Sequence, residues 1–330
     1  MEPRTGGVNG GRRPLAADLE VRPAQPADLP ACAEVWRAGL DGYASRVGRL
    51  PMALPPQSLV PLLGHLRSTD PERFLVAVRR GPPGGERVIA FVSALRRSDV
   101  WFLGMLFVHP GEQARGLGRA LLEAVLPAPG DPARRATCTD AAQPVSNALY
   151  ARHGIVPRVP VLELVGRPDT TRLAPLPGAI RAVPFEVLGA GPPDGPGALH
   201  LASALAALDR SALGYAHPED HAFLAATARL GYVYVAGDGR SVGYGYTSRA
   251  GRVGPIAAED ESLLPGILGH LLGAVEPAGA FATWMPGAAG QAVTALLEAG
   301  LRLEDFPALL CWDQPFADFS RYVPITLAVL

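Results

Sequence analysis

The order of predicted elements in the first half of the chain returns in the second, so whatever this sequence folds into is built twice. Residues 19–22 alternate as a strand, and Pro26 opens a helix that carries Ala31, Val35, Trp36 and Leu40. A Pro-rich stretch at 50–61 leads to a second short helix near Leu62. Strands at 74–78 and 88–94 form a hairpin across the Gly/Pro turn 81–85, and 101–108 is a further apolar strand. A helix at 118–126, a strand at 136–139, a helix at 145–153 and a strand at 159–165 close the half. The same order follows as strand 180–183, helices 198–208 and 221–230, hairpin 232–236/241–247 and strand 252–257. Helix 263–275, strand 281–284, helix 288–299 and strand 309–312 complete it. The segments ending at Gly154 and Gly300 are the clearest matched pair. The expected fold is a mixed α/β (α+β) chain of two tandem copies of one module. The copies are expected at 18–166 and 179–330, with a polar, Pro-rich linker at 167–178 and a flexible N-terminus at 1–17.

Composition excludes several classes. With 48% hydrophobic and 18% charged residues, the chain is rich enough in apolar side chains for ordinary cores. Its net charge is −1, all 30 basic residues are Arg, and no basic run marks a nucleic-acid surface. Cys32, Cys138 and Cys311 are far apart, which argues against a disulfide framework or zinc knuckle and suits a reducing, cytoplasmic setting. Residues 1–15 lack the apolar segment of a secretory signal, and no run is long enough to span a membrane.

The chemistry is concentrated in Leu106-Phe-Val-His-Pro-Gly-Glu-Gln-Ala-Arg-Gly-Leu-Gly-Arg-Ala-Leu121. An apolar strand runs into a loop with Gln113-x-x-Gly116-x-Gly118, and the loop runs directly into a helix. Glycines without Cβ let successive backbone N–H groups close on an anion, at the point where the helix aims its positive end. Arg115 and Arg119 can add charge. A P-loop would need a Lys, which the chain lacks, and a dinucleotide fingerprint would need a third Gly at Leu121. A glycine-rich connection without any ligand is the competing account.

This stretch, followed by Ser146-Asn-Ala-Leu-Tyr150-Ala-Arg-His-Gly154, resembles the GNAT superfamily of N-acetyltransferases, and the element order over about 18–166 agrees. Gln143 stands where the family usually has Asn, and Ile155 where it usually has Phe. The resemblance implies an acetyl-CoA-dependent enzyme that passes the acetyl group directly to an amine of a small molecule or peptide. It assigns the pyrophosphate to Gln113, Ala114, Arg115, Gly116, Leu117, Gly118 and Arg119. It assigns the pantetheine arm to the backbone of Leu106, Phe107 and Val108, with the Val108 N–H as an oxyanion donor. Tyr150 becomes the acid that protonates the leaving thiolate, since a phenol stays protonated at neutral pH. Asn147, one turn earlier, is placed to contact pantetheine.

The general base is less defined. Many relatives use a Glu on the fourth strand, but 101–108 contains no carboxylate. Asp140 is the nearest acidic candidate, and a turn or cap is an equal account of it; a water relay is another route. Cys138 is a conceivable acyl acceptor, but a small apolar Cys within a strand is more often core. Trp36, Asp41 and Tyr43, at the end of the first helix, are the acceptor-site candidates. The absent carboxylate also admits a different class, a non-catalytic acyl-CoA sensor.

In the second copy Leu296 occupies the Tyr150 slot, and Ala258-Glu-Asp-Glu-Ser-Leu-Leu-Pro265 replaces the glycine loop with three carboxylates. This half resembles the degenerate C-terminal half of tandem GNAT proteins, with a role in packing, pocket closure or a homodimer. His217 and His221 have the i,i+4 spacing of a metal pair. They lack the HExxH order and any third ligand in the local sequence, and Pro-Glu-Asp between them suits the first turn of a helix. No metal is expected, nor a nucleic-acid or membrane partner.

Overall fold

The computed structural model describes residues 18–50, 54–81, 85–189 and 201–330. The expected flexible segment 1–17, the middle of the 81–85 turn and the start of the helix expected at 198 lie outside these residues. The first repeat runs β1 (Leu19–Pro23), α1 (Leu29–Arg46), α2 (Val60–Thr69), β2 (Phe74–Arg80), β3 (Glu86–Arg97), β4 (Val100–Val108), α3 (Leu117–Val125), β5 (Arg134–Asp140), α4 (Pro144–Ala151) and β6 (Val156–Gly166). The second begins with β7 (Ile180–Pro184), α5 (Phe185–Gly189), α6 (Leu201–Ala212), α7 (Pro218–Ala225), β8 (Arg229–Ala236) and β9 (Ser241–Ser248). It continues through β10 (Ile256–Ala258), α8 (Leu264–Gly273), β11 (Phe281–Pro286), α9 (Gly290–Glu298), β12 (Arg302–Leu303), β13 (Ala308–Trp312) and β14 (Tyr322–Val323).

Two expected elements are corrected. The helix expected over 221–230 stops at Ala225, because Arg229 and Leu230 pair with Ser248 and Thr247 on β9. A ladder to the neighbouring strand outweighs a weak local helical pattern. The strand expected over 252–257 shrinks to β10, since Pro255 has no N–H to donate and Arg252 makes only an isolated bridge to Ala282.

Contacts divide the chain into two compact units, residues 1–94 with 105–128, and residues 95–104 with 129–330. In the first unit β1, β2 and β3 form an antiparallel ladder. α3 buries Leu117, Leu121, Leu122 and Val125, one continuous helical stripe. α1 buries Leu29, Cys32, Ala33 and Val35.

The second unit shows an exchange between the repeats. Its strands run β4-β5-β13-β6-β11, so β6 does not lie beside β5 of its own repeat. β13 sits between them, antiparallel to both, with Leu310 opposite Cys138 on one side and Val159 on the other. Reciprocally, β6 pairs with β11 of the second repeat from Val161–Pro286 to Gly166–Phe281. A second sheet, β14-β10-β9-β8-β7, completes the unit. One core joins Phe102, Ala136 and Val161 of the first repeat to Leu208, Tyr244, Leu310 and Phe319 of the second.

Two glycines mark where backbone runs against backbone. A Cβ at Gly104 on β4 would lie 2.5 Å from the Ala328 carbonyl oxygen, and one at Gly269 on α8 would lie 2.1 Å from that of Ala174. Gly269→Ala is therefore expected to force the 174–177 segment off α8. The loss should be about 2–3 kcal/mol, typical of overpacking against atoms that cannot rotate away. Chemical denaturation checks it: an unchanged midpoint would show that the segment yields freely.

Candidate functional site

The candidate cradle lies in the first unit. β4 ends at Val108, and Pro110–Glu112 makes a single 3-10 turn. Gln113 then extends, and its side-chain Nε2 donates to the Val108 carbonyl at 3.0 Å, tying the loop to the strand end. Ala114 (φ +63°) and Gly116 (φ +82°) take left-handed conformations, which cost an L-residue such as Ala114 about 1 kcal/mol. Alternation of this kind points successive N–H groups to one side. Among the described residues the amides of Ala114, Arg115 and Gly116 have no hydrogen-bond acceptor. α3 starts at Leu117, whose buried side chain anchors it, and its first amides are left open by helix geometry. A Cβ at Gly116 would meet nothing within 4 Å, and one at Gly118 only Val108 Cγ2 at 3.6 Å. Internal packing does not require glycine at 118, so space for an external ligand is the better account of it.

Glu112, which the sequence did not single out, is buried beneath this loop. It accepts from Arg79 at 2.8 Å, Arg87 at 3.2 Å and Arg115 at 3.0 Å. Arg79 and Arg87 are directly opposite on β2 and β3, a like-charge pair that needs a counter-ion. Their pairing across the hairpin was the available signal. Arg115 is thus held by Glu112, and Arg119 pairs with Glu123 at 2.7 Å. Both Arg side chains are exposed, where such pairs are worth under about 1 kcal/mol, so an anionic ligand can compete for them.

Trp36, Asp41 and Tyr43 lie half-buried on the C-terminal part of α1, in the same unit. That helix approaches the end of β4 closely. A Cβ at Gly39 would stand 3.0 Å from Phe107 Cδ1, and one at Gly42 3.1 Å from Pro110 Cγ. Trp36 and Tyr43, seven residues apart, share a helix face. Asp41 pairs with Arg37 at 3.3 Å. An open cleft of about 320 Å³ between α1 and β3 is lined by Val35, Ala38, Val88 and His109, among others, and by none of the predicted site residues.

The other candidates belong to the second unit. β4 pairs in parallel with β5 only from Val100–Arg134 to Leu103–Thr137, and the Thr137 hydroxyl closes that end by donating to the Leu103 carbonyl at 2.9 Å. Asp140 ends β5, and its Oδ1 accepts the Ala142 N–H at 2.9 Å, so the carboxylate caps a turn. Asn147 Nδ2 donates to the carbonyls of Asp140 at 3.1 Å and Gln143 at 2.9 Å, while its buried Oδ1 has no partner. Tyr150 is buried on α4, and burial pushes its phenol well above 10, an effect only partly offset by a bond with Ser146. Cys138 packs against the core, with its thiol pushed far up by burial. Cys32 and Cys311 are pushed up to about 12 for the same reason, and all three are free thiols.

Residues 48–155 match the acetyltransferase (GNAT) family. Over those residues the chain is similar to GNAT acetyltransferase domains. No curated protein matches the chain by sequence. Among solved structures, a Pyrococcus horikoshii protein called a candidate acetyltransferase is 14% identical. It covers 96% of this chain and 98% of its own, with a TM-score of 0.69. A GCN5-related N-acetyltransferase from Sphaerobacter thermophilus is 19% identical, covering 93% and 100%, at TM-score 0.57. A tandem GNAT protein from the clavulanic acid biosynthesis pathway is 16% identical, covering 90% and 99%, at 0.51. The chain therefore has the tandem GNAT fold. Among the described residues, no helix is long and apolar enough to cross a membrane.

The second GNAT-like repeat carries its matched residues differently. Leu296 is buried in the slot equivalent to Tyr150. Asp260 caps a 3-10 turn by accepting the Ser262 N–H at 2.9 Å, and Glu259 pairs with Arg240. A Cβ at Gly266, in the first turn of α8, would lie 2.9 Å from the Pro175 carbonyl oxygen. The chain at 174–177 thus covers the helix face where the first repeat is open.

Proposed function

We propose that this protein is an acetyl-CoA-dependent N-acetyltransferase acting on an amine of a small molecule or peptide. The observation that carries the reading is the left-handed loop at Ala114–Gly116, whose amides have no acceptor among the described residues and which leads directly into the N-terminus of α3. That arrangement suits a pyrophosphate. In this reading the amides of 114–119 hold the pyrophosphate, and the backbone of Leu106, Phe107 and Val108 aligns the pantetheine arm. Asn147 Oδ1, a buried acceptor without a partner, accepts from a pantetheine amide. Acetyl-CoA supplies an activated acyl carbon. The acceptor nitrogen bonds to that carbon, the C–S bond breaks, and Tyr150 gives its proton to the departing thiolate. The proton lost by the amine goes to Asp140, directly or through water. Trp36, Asp41 and Tyr43 border the acceptor.

Catalysis is assigned to 18–166, and the module at 179–330 is assigned to support. The free thiols suit a cytoplasmic protein. Calorimetry on the whole chain is expected to give one acetyl-CoA site. Gly118→Glu, which adds bulk and negative charge to the cradle, should weaken it on the order of 100-fold, about 2.7 kcal/mol. Undiminished binding by that variant overturns the assignment. Binding without thiol release over a broad amine panel would instead indicate an acyl-CoA sensor.

A further inference from the structure

The second repeat holds a buried polar cluster that acetyl transfer leaves unused. Asp209 comes from α6, His217 caps the start of α7, and His221 lies one turn along it. Asp209 is 0% exposed, His217 1% and His221 7%. Asp209 Oδ2 is 3.0 Å from His221 Nε2, and Asp209 Oδ1 is 3.4 Å from His217 Nε2. The two imidazoles stack with centroids 4.6 Å apart, so both Nε2 atoms face one carboxylate. One donor atom from each residue falls within 4.8 Å of the other two.

The far side of each group is also held. The Tyr246 hydroxyl meets His221 Nδ1 at 2.8 Å, the Tyr244 hydroxyl donates to Asp209 Oδ1 at 2.6 Å, and Asp220 Oδ2 faces His217 Nδ1 at 3.4 Å. Arg97 in turn holds Asp220 at 3.2 Å and Glu219 at 2.6 Å. Hydroxyl or carboxylate partners on the outer nitrogen are what orient metal-binding histidines.

We propose that Asp209, His217 and His221 bind a divalent first-row transition metal, with zinc the best match and a water as the fourth ligand, in the second repeat. Two imidazoles and a carboxylate are a zinc donor set, and bonds of about 2.0–2.1 Å place tetrahedral ligands roughly 3.3 Å apart. The two imidazole–carboxylate separations, one to each Asp209 oxygen, lie close to that value. Both ring nitrogens of His217 are buried without a well-aligned hydrogen bond. Coordination through Nε2 would remove one of those buried deficits. Charge also closes, since a dication and Arg97 together balance Asp209, Asp220 and Glu219. The competing occupant is a proton on His217, shared between the two carboxylates.

The experiment uses the full-length chain. Elemental analysis of protein purified without chelator is expected to give one zinc per chain. After stripping, the melting temperature should fall and recover on adding zinc, and Co(II) should give the visible absorption of a four-coordinate ion. His221→Gln should abolish the Co(II) signal. Tyr246→Phe, which removes only an outer partner, should weaken zinc about 10–100-fold with the fold intact. Folded wild-type protein that takes up neither ion overturns the proposal in favour of the proton. Metal uptake undiminished by both variants overturns the site.

Discussion

Ended after residue 170, the chain is expected to aggregate rather than yield a working first repeat. The cut removes β13 from between β5 and β6, opening a ladder on each side of it. It also strips β11 from the other edge of β6, leaving that strand with no partner among those it pairs with in the whole chain. Exposed flat strand edges are templates for association. Ala136, Val161 and Phe102 would lose the apolar neighbours supplied by Leu208, Leu310 and Phe319. Each large apolar side chain returned to water loses about 1.5–3 kcal/mol. A few such losses match the whole stability of a typical domain, roughly 5–15 kcal/mol. Size-exclusion chromatography with light scattering measures the outcome. A monomeric, stable fragment with the turnover of the whole chain would show the second repeat to be an independent appendage. Co-expressing residues 171–330 is expected to restore solubility, because the missing strands would be supplied in trans.

The exchange behind that expectation was not legible in the sequence. β6 and β13 each follow the last helix of their repeat, and nothing local says which β5-like strand either will join. Element order was legible, because helical stripes such as Leu117, Leu121, Leu122 and Val125 leave a periodic trace. The left-handed loop offered as the candidate cradle was legible for a related reason: it is a contiguous stretch whose glycines answer to local backbone geometry. Residues acting across long separations were not. Glu112 matters through Arg79 and Arg87, which are recognisable as its partners only once the hairpin register is known. Asp209 joins His217 and His221 from a different helix, so the i,i+4 pair looked one ligand short. The bonds by which Asn147 Nδ2 stitches the start of α4 to the end of β5 left no trace in the sequence either.

Tyr150→Phe is expected to lower kcat by about 100-fold or more, within the range of a lost general acid. The KM for acetyl-CoA should stay within about threefold, since the cofactor contacts proposed for the loop at 113–119 are untouched. The substitution keeps the buried ring and removes only the hydroxyl, so the fold should lose on the order of 1 kcal/mol. The direction of the phenol's shift makes the test sharper. Burial raises its pKa above the ordinary value near 10, so the proton stays on Tyr150 through neutral and mildly alkaline pH. A protonated donor predicts that the ratio of wild-type to variant rates is the same at pH 7 and at pH 9. A phenolate acting as base would instead make the wild-type advantage grow as pH rises. Single-turnover rates at the two pH values separate these cases. A variant with wild-type kcat at both would remove Tyr150 from the mechanism and leave the thiolate to be protonated by solvent.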